Sequence, residues 1–220
     1  KEDGDVVEIK LENRYIRGDI EGLKLDEDGN VIAGAKFGLF KPGTTEFTEE
    51  NAVLVTESDS EGKFRFEDIR FGKWIVRELV PATGYVLNET PIEVNIQTEG
   101  EVINISFENK FIRSDIKGYK VDEDGKPVEG ALFGLFTETD TEFTEESAVL
   151  TAKSDADGIF FFDDIRFGKW IVKELAPAES FVANDTVFPI DVTTDGAIIE
   201  IELFQSALRY KLAEPDLQQP

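Results

Sequence analysis

The 220-residue chain contains no cysteine, no histidine and no methionine. Without cysteine there is no disulfide framework and no thiol nucleophile. Without histidine the commonest metal ligand and the usual base near neutral pH are missing, which excludes serine–histidine and cysteine–histidine catalysis. No metal or cofactor is expected. The missing methionine suggests a chain that begins inside a longer or processed product. Long apolar runs are also missing. No stretch approaches the roughly 20 residues needed to span a bilayer, and no signal peptide is apparent. Basic residues are scarce, 23 Lys and Arg against 47 Asp and Glu, for a net charge of −24. That balance argues against nucleic acid or an anionic membrane as partner, since both require a basic surface.

What is present is a repeat. Gly22-Leu23-Lys24-Leu25-Asp26-Glu27-Asp28-Gly29 returns as Gly118-Tyr119-Lys120-Val121-Asp122-Glu123-Asp124-Gly125. Asp68-Ile69-Arg70-Phe71-Gly72-Lys73-Trp74-Ile75-Val76 returns from Asp164 to Val172 at the same spacing of 96 positions. No insertion is needed to align the copies, and the period is too long for a solenoid but right for a small domain. A partial third copy, Val7 to Arg14, matches Ile103 to Lys110. The expected organisation is therefore residues 1–17 as the last strand of a preceding module or a linker, 18–113 as one module, 114–205 as a second, and 206–220 as a tail whose last residues, 213–220, have no pattern and are expected to be loose. The short linkers suggest a stiff array.

Each module reads as short alternating strands separated by turn residues. In the first they are expected near 19–26, 34–40, 52–57, 63–67, 73–79, 91–97 and 101–110. Gly29, Gly62 and Gly100 supply positive φ in hairpin-type turns, and residues 44–51 suit at most one helical turn. Seven strands at this spacing predict an all-β fold of two tandem antiparallel Greek-key sandwiches.

Three polar residues of the first module fall in register with apolar neighbours. Asn109 ends the face of Ile103, Ile105 and Phe107; Glu78 follows Trp74 and Val76; Lys24 follows Ile20 and Gly22. A buried unpaired charge is very costly, so a lone lysine there would be surprising. Together the three are intelligible. Desolvation lowers a lysine pKa and raises a glutamate pKa. The neutral amine is then a nucleophile, and the carboxylic acid polarises the amide and handles protons. Lys24 is expected to join Asn109 covalently with release of ammonia, Glu78 serving as proton shuttle.

With the residues Lys24-Leu25-Asp26, Gly34-Ala35-Lys36-Phe37-Gly38-Leu39, Ser58 to Phe64, Glu78-Leu79-Val80-Pro81-Ala82-Thr83-Gly84-Tyr85 and Phe107-Glu108-Asn109-Lys110, the chain resembles the SpaA-type pilin and collagen-adhesin B-type (CnaB-like) modules of Gram-positive surface proteins. The resemblance covers nearly all of 18–205. It implies immunoglobulin-like, CnaB-type sandwiches and a spontaneous Lys–Asn isopeptide bond with Lys24, Glu78 and Asn109 at the family's positions. The second module departs from the pattern. Lys120 and Glu174 are in place, but Gln205 stands where Asn109 is matched. Three readings stay open: no bond, ranked first; a bond from Lys120 to Gln205; or a bond to a residue from elsewhere, such as Asn13 of another chain.

Smaller signals are read plainly. Arg17-Gly18-Asp19, an integrin-type tripeptide, is taken as linker. The acidic runs at Asp26 and Asp122 lack full calcium-loop spacing and are taken as turns. Trp74 and Trp170 are expected in the core. The function expected is a stalk or pilin-like segment on a Gram-positive cell wall, non-enzymatic apart from one self-consuming crosslink. Its partners would be neighbouring modules of the same protein. It is expected to be monomeric, with strand exchange through residues 7–13 as a route to a second chain. The alternative is an adhesin module that binds a host matrix protein or another surface protein.

Overall fold

A computed structural model describes residues 8–203 with side chains and 208–212 as backbone. Among the described residues there is no helix; fifteen strands divide between two compact units, β1–β7 and β8–β15. The first unit holds β1 (Arg17–Asp26), β2 (Lys36–Phe40), β3 (Leu54–Glu57), β4 (Lys63–Arg70), β5 (Gly72–Val80), β6 (Ile92–Ile96) and β7 (Glu101–Asn109). They form two sheets, ordered β4-β1-β7 and β3-β2-β5-β6. Ile20, Phe37, Leu39, Phe64, Phe66, Val76, Val94, Ile96 and Phe107 fill the space between.

The second unit repeats the plan with β8 (Arg113–Lys120), β9 (Leu132–Thr137), β10 (Leu150–Lys153), β11 (Ile159–Arg166), β12 (Gly168–Ala176), β13 (Val187–Val192) and β14 (Ala197–Leu203). One strand is added, β15 (Leu208–Leu212), antiparallel to β14 from Leu203↔Leu208 to Ile199↔Leu212. The sequence places these five residues in the tail, where no strand is expected. Their alternation, Leu208-Arg209-Tyr210-Lys211-Leu212, was the available strand signal.

Every ladder is antiparallel except one per unit. β1 runs parallel to β7, with Lys24 opposite Phe107 and Asp26 opposite Asn109, and β8 runs parallel to β14. The expected all-antiparallel sandwich is corrected on this point. Alternation reveals which residues share a face but not which strand lies alongside. The parallel pair exists because the chain crosses to the other sheet and returns between its first and last strands.

Burial along β1 alternates without a break, with Gly18, Ile20, Gly22, Lys24 and Asp26 facing inward. Gly22 is required by packing. A Cβ there would lie 1.9 Å from the ring of Phe64, which stacks on Phe37 at a centroid distance of 3.8 Å. Gly118 stands in the same relation to Phe160, also at 1.9 Å. Gly29, Gly62 and Gly100 all have positive φ, as their turns require. Residues 44–51 form no helix, although Ala52 N–H donates to Thr48 O at 3.1 Å in a single turn.

Trp74 and Trp170 are only partly buried against the cores, and each indole N–H donates to a backbone carbonyl, Arg70 O and Arg166 O, at 2.9 Å. An indole satisfies its N–H most cheaply at a core's edge. The Arg17-Gly18-Asp19 tripeptide lies in β1. Arg17 pairs with Asp68, and Asp19 accepts the Asp68 N–H at 2.9 Å while pairing with Arg65. Those bonds hold the Asp19 carboxyl below its ordinary pKa, the Asp68 N–H first and Arg65 second. They also secure Asp68 in the left-handed region at φ 60°. Asp26 accepts the N–H groups of Asp28 and Asn30, at 3.0 and 2.8 Å, so the acidic run there is a turn. Residues 8–16 lie outside any strand, with Ile9 and Leu11 exposed.

Candidate functional site

Three strands bring one side chain each into the first core. β1 contributes Lys24, β5 contributes Glu78 and β7 contributes Asn109, all essentially sealed from solvent. Register explains the meeting. Lys24 and Asn109 sit on the inner faces of adjacent parallel strands, two positions apart. Glu78 reaches them from the opposite sheet, paired through β5 with Phe37 of β2. Phe37, Phe64 and Phe107 belong to the same core, with the Phe37 and Phe107 centroids 5.1 Å apart and those of Phe64 and Phe107 6.2 Å apart.

The Asn109 carboxamide donates from Nδ2 to Glu78 Oε1 at 2.9 Å, leaving its own Oδ1 buried with no partner. Lys24 Nζ donates to the carbonyls of Leu25, at 3.1 Å, and Phe107, at 3.4 Å, and stands 3.9 Å from Glu78 Oε1. The other oxygen, Oε2, accepts the backbone N–H of Asn88 at 2.8 Å. Burial pushes the Lys24 ammonium from 10.5 down to about 8, opposed in part by Glu78, Glu108 and Asp26. Burial likewise raises the Glu78 carboxyl, opposed by the Asn88 N–H, Lys24 and the Asn109 amide. Both shifts favour the uncharged forms, the state in which the amine is nucleophilic and the acid holds a proton. An unpaired buried carbonyl costs about 1–3 kcal/mol, so the Asn109 oxygen is poorly accommodated in the amide's present orientation.

In the second unit Lys120 and Glu174 are equally buried. The amine lies on both carboxylate oxygens, 3.2 Å from Oε1 and 3.3 Å from Oε2. Asn184 N–H donates to Oε2 at 2.8 Å, as Asn88 does to Glu78. Gln205 lies outside the described residues. Asn13 lies in the exposed stretch before β1.

Asn88 and Asn184 were missed in the sequence. A signal existed: Asn88-Glu89-Thr90 and Asn184-Asp185-Thr186 keep the same chemistry at the repeat spacing, while Gly84 and Leu87 are replaced by Ser180 and Ala183. Among the described residues no group of acidic side chains is arranged to hold a metal ion.

Comparison with known proteins gives a consistent picture. The family model of the SpaA prealbumin-like fold domain matches twice, at residues 18–111 and 114–206. The Bacillus anthracis TIE protein is similar in structure, with a TM-score of 0.74 at 22% identity over 86% of this chain and 34% of that one. A C-terminal fragment of the pilus adhesin SpaC from Lactobacillus rhamnosus GG gives a TM-score of 0.51 at 12% identity, covering 92% of this chain and all of that one. No curated protein sequence matches. This chain thus spans about a third of the TIE protein's length. At these identities the likeness is one of fold, while the family model covers most of the sequence. With a SpaA match over each sandwich, the chain belongs to the SpaA family of prealbumin-like domains, in two tandem copies.

Proposed function

We propose that this chain is a stalk segment of a Gram-positive cell-surface protein, and that a Lys24–Asn109 isopeptide bond locks its first module. The observation that carries the reading is the sealed triad: amine, acid and carboxamide share one dry pocket, with the acid on the amide at 2.9 Å.

The chemistry balances. Neutral Lys24 Nζ attacks Asn109 Cγ, forming the new C–N bond. Glu78, protonated at the start, gives its proton to the departing Nδ2 and takes one from Nζ in its place. The Cγ–Nδ2 bond breaks and ammonia departs, leaving Glu78 in its starting state. Proximity within the fold supplies most of the acceleration, since held reactants gain large effective molarities. The reaction runs once and consumes its own groups, so the module is not a turnover enzyme.

A bond between β1 and β7 joins the first strand to the last. It keeps the module from extending under tension and restricts the local opening that proteases exploit. It does without cysteine what disulfides do elsewhere. A monomeric spacer outside the cell wall, joined to neighbouring modules of the same protein, is the setting in which such a device is useful. In the second module we favour a Lys120–Glu174 ion pair with no crosslink.

Intact mass tests the reading. The folded chain should be lighter than its sequence by one ammonia, and Glu78→Ala should restore the full mass. A full mass for the unaltered chain refutes the proposal. Loss of two ammonias shows that Lys120 is crosslinked as well.

One observation favours the adhesin alternative. Phe161, 44% exposed, occupies the β11 position that corresponds to Arg65 of β4, so the modules differ on an outer face. Retention of the chain on immobilised matrix proteins, lost in Phe161→Arg, would support it.

A further inference from the structure

The loop between β5 and β6 carries a device that the triad does not include. Asn88 makes three hydrogen bonds with different roles. Its backbone N–H donates to Glu78 Oε2 at 2.8 Å. Its Oδ1 accepts the Thr90 N–H at 3.0 Å, which fixes the turn. Its Nδ2 donates to the carbonyl of Glu108 at 2.9 Å, tying the loop to β7 one residue before Asn109. The second module rebuilds the first two: Asn184 N–H meets Glu174 Oε2 at 2.8 Å and Thr186 N–H meets Asn184 Oδ1 at 3.0 Å. Leu87 is replaced by Ala183 in the second loop, and the two bonds are retained across that change.

We infer that Asn88 is a positioning residue for the crosslinking step: by donating to Oε2 it confines the exchangeable proton of Glu78 to Oε1. The inference rests on the isopeptide reading above. An oxygen that accepts a short N–H bond is a poor place for a proton, because the two hydrogens would face each other. Oε1 accepts the Asn109 Nδ2–H at 2.9 Å, but that donor belongs to an amide that can turn, whereas the Asn88 N–H is fixed in the backbone. The proton is therefore carried by Oε1, which also lies 3.9 Å from Lys24 Nζ. A half-turn of the carboxamide then brings the unpartnered Oδ1 onto that proton. O and N of an amide exchange places in such a turn with little change of shape. The buried oxygen gains its missing donor, and the carbon that Lys24 attacks is polarised. Oε1 thus polarises the carbonyl with its proton, collects the proton shed by the amine, and delivers one proton to Nδ2 as the Cγ–Nδ2 bond breaks and ammonia leaves, with no rotation of the acid between the steps.

The groups facing Glu78 are Lys24 from β1, Asn109 from β7 and the Asn88 N–H from its own loop, while Glu108 and Asp26 act on Lys24. The reactive pair must hold one proton between amine and acid, so the crosslinking rate should be bell-shaped in pH. The Asn88 N–H favours the ionised acid, and its removal raises the acid limb of that bell.

The experiment uses the whole chain, extracted in denaturant at its unmodified mass and diluted into buffers spanning the acid and alkaline range. Loss of ammonia is followed by intact mass. Asn88→Ala keeps its backbone N–H but loses the side-chain bonds to Thr90 and Glu108 that aim it. It should slow the reaction about tenfold near neutral pH and move the acid limb upward by about one pH unit, the size expected for one charge-assisted hydrogen bond. Asn88→Pro, which has no N–H, should move the limb at least as far. Asn88→Ser, whose hydroxyl can still accept from Thr90, should keep the limb near its original place, which guards against a merely misfolded alanine variant. An unchanged profile in Asn88→Ala, or uniform slowing with no shift of the limb, overturns the positioning role while leaving the crosslink intact. Absence of any ammonia loss in the unaltered chain overturns both.

Discussion

Replacing Lys24 with methionine isolates the contribution of the crosslink. Methionine is close to lysine in length and volume and has no amine, so it removes the bond without leaving a large cavity. The buried Glu78, whose carboxyl is already shifted by burial toward its protonated form, keeps its bonds to Asn88 and Asn109. The proposed bond would close a loop running from residue 24 to residue 109. For a loop of roughly 85 residues, the chain-entropy relation used for disulfides gives about 4.6 kcal/mol. A module of this size shifts its melting temperature by about 4–8 °C per kcal/mol. The first module of Lys24→Met should therefore melt roughly 20–35 °C below that of the unaltered chain. The second module, with Lys120 and Glu174 untouched, should keep its own transition and serves as internal control. Scanning calorimetry reads both transitions, and intact mass confirms that the ammonia is retained. A shift of only a few degrees, with the mass confirming that a bond had been lost, would refute the claim that the crosslink restrains the module.

Three further outcomes follow from the geometry. Glu78→Gln should also abolish the bond, but it should be less stable than Lys24→Met by about 3–5 kcal/mol in urea titration, because Lys24 stays buried without its counter-charge. Gly22→Ala should destabilise the first module by about 1–3 kcal/mol, since the added methyl occupies the Phe64 ring position 1.9 Å away; Gly118→Ala should do the same to the second. In uncrosslinked Asn109→Ala, the folded Lys24 releases its proton near 8 and the unfolded chain near 10.5, so the unfolded state binds more protons in that window. Stability should rise with pH across it, relieving roughly 3 kcal/mol. The raised Glu78 carboxyl acts oppositely: its contribution is full below its ordinary value of 4.5 and lost as pH rises through its folded pKa. Urea midpoints compared with those of the Lys24→Met/Asn109→Ala double variant should isolate the alkaline rise, and a flat comparison would contradict the burial argument.

Much of this protein was legible from the order of its residues. Exact spacing between the copies established two modules, and period-two alternation located the strands that Gly29, Gly62 and Gly100 separate. The same alternation placed Lys24, Glu78 and Asn109 on apolar faces, because side-chain direction in a strand is a local property of the backbone. Inward direction along β1 was not legible, since Leu23 made both faces plausible; packing of Phe64 over Gly22 decided it. Pairing of β1 with β7 in parallel, and the register that places Lys24 two positions from Asn109, depended on contacts between residues more than eighty positions apart. The N–H that Asn88 aims at Glu78 was likewise invisible, because it belongs to the backbone, and a one-letter code records side chains only. The sequence alone determined the modules, their strands and the three polar side chains on apolar faces. The tertiary structure decided which strands are neighbours and which oxygen meets which hydrogen, because those relations arise only when distant segments compete for the same buried space.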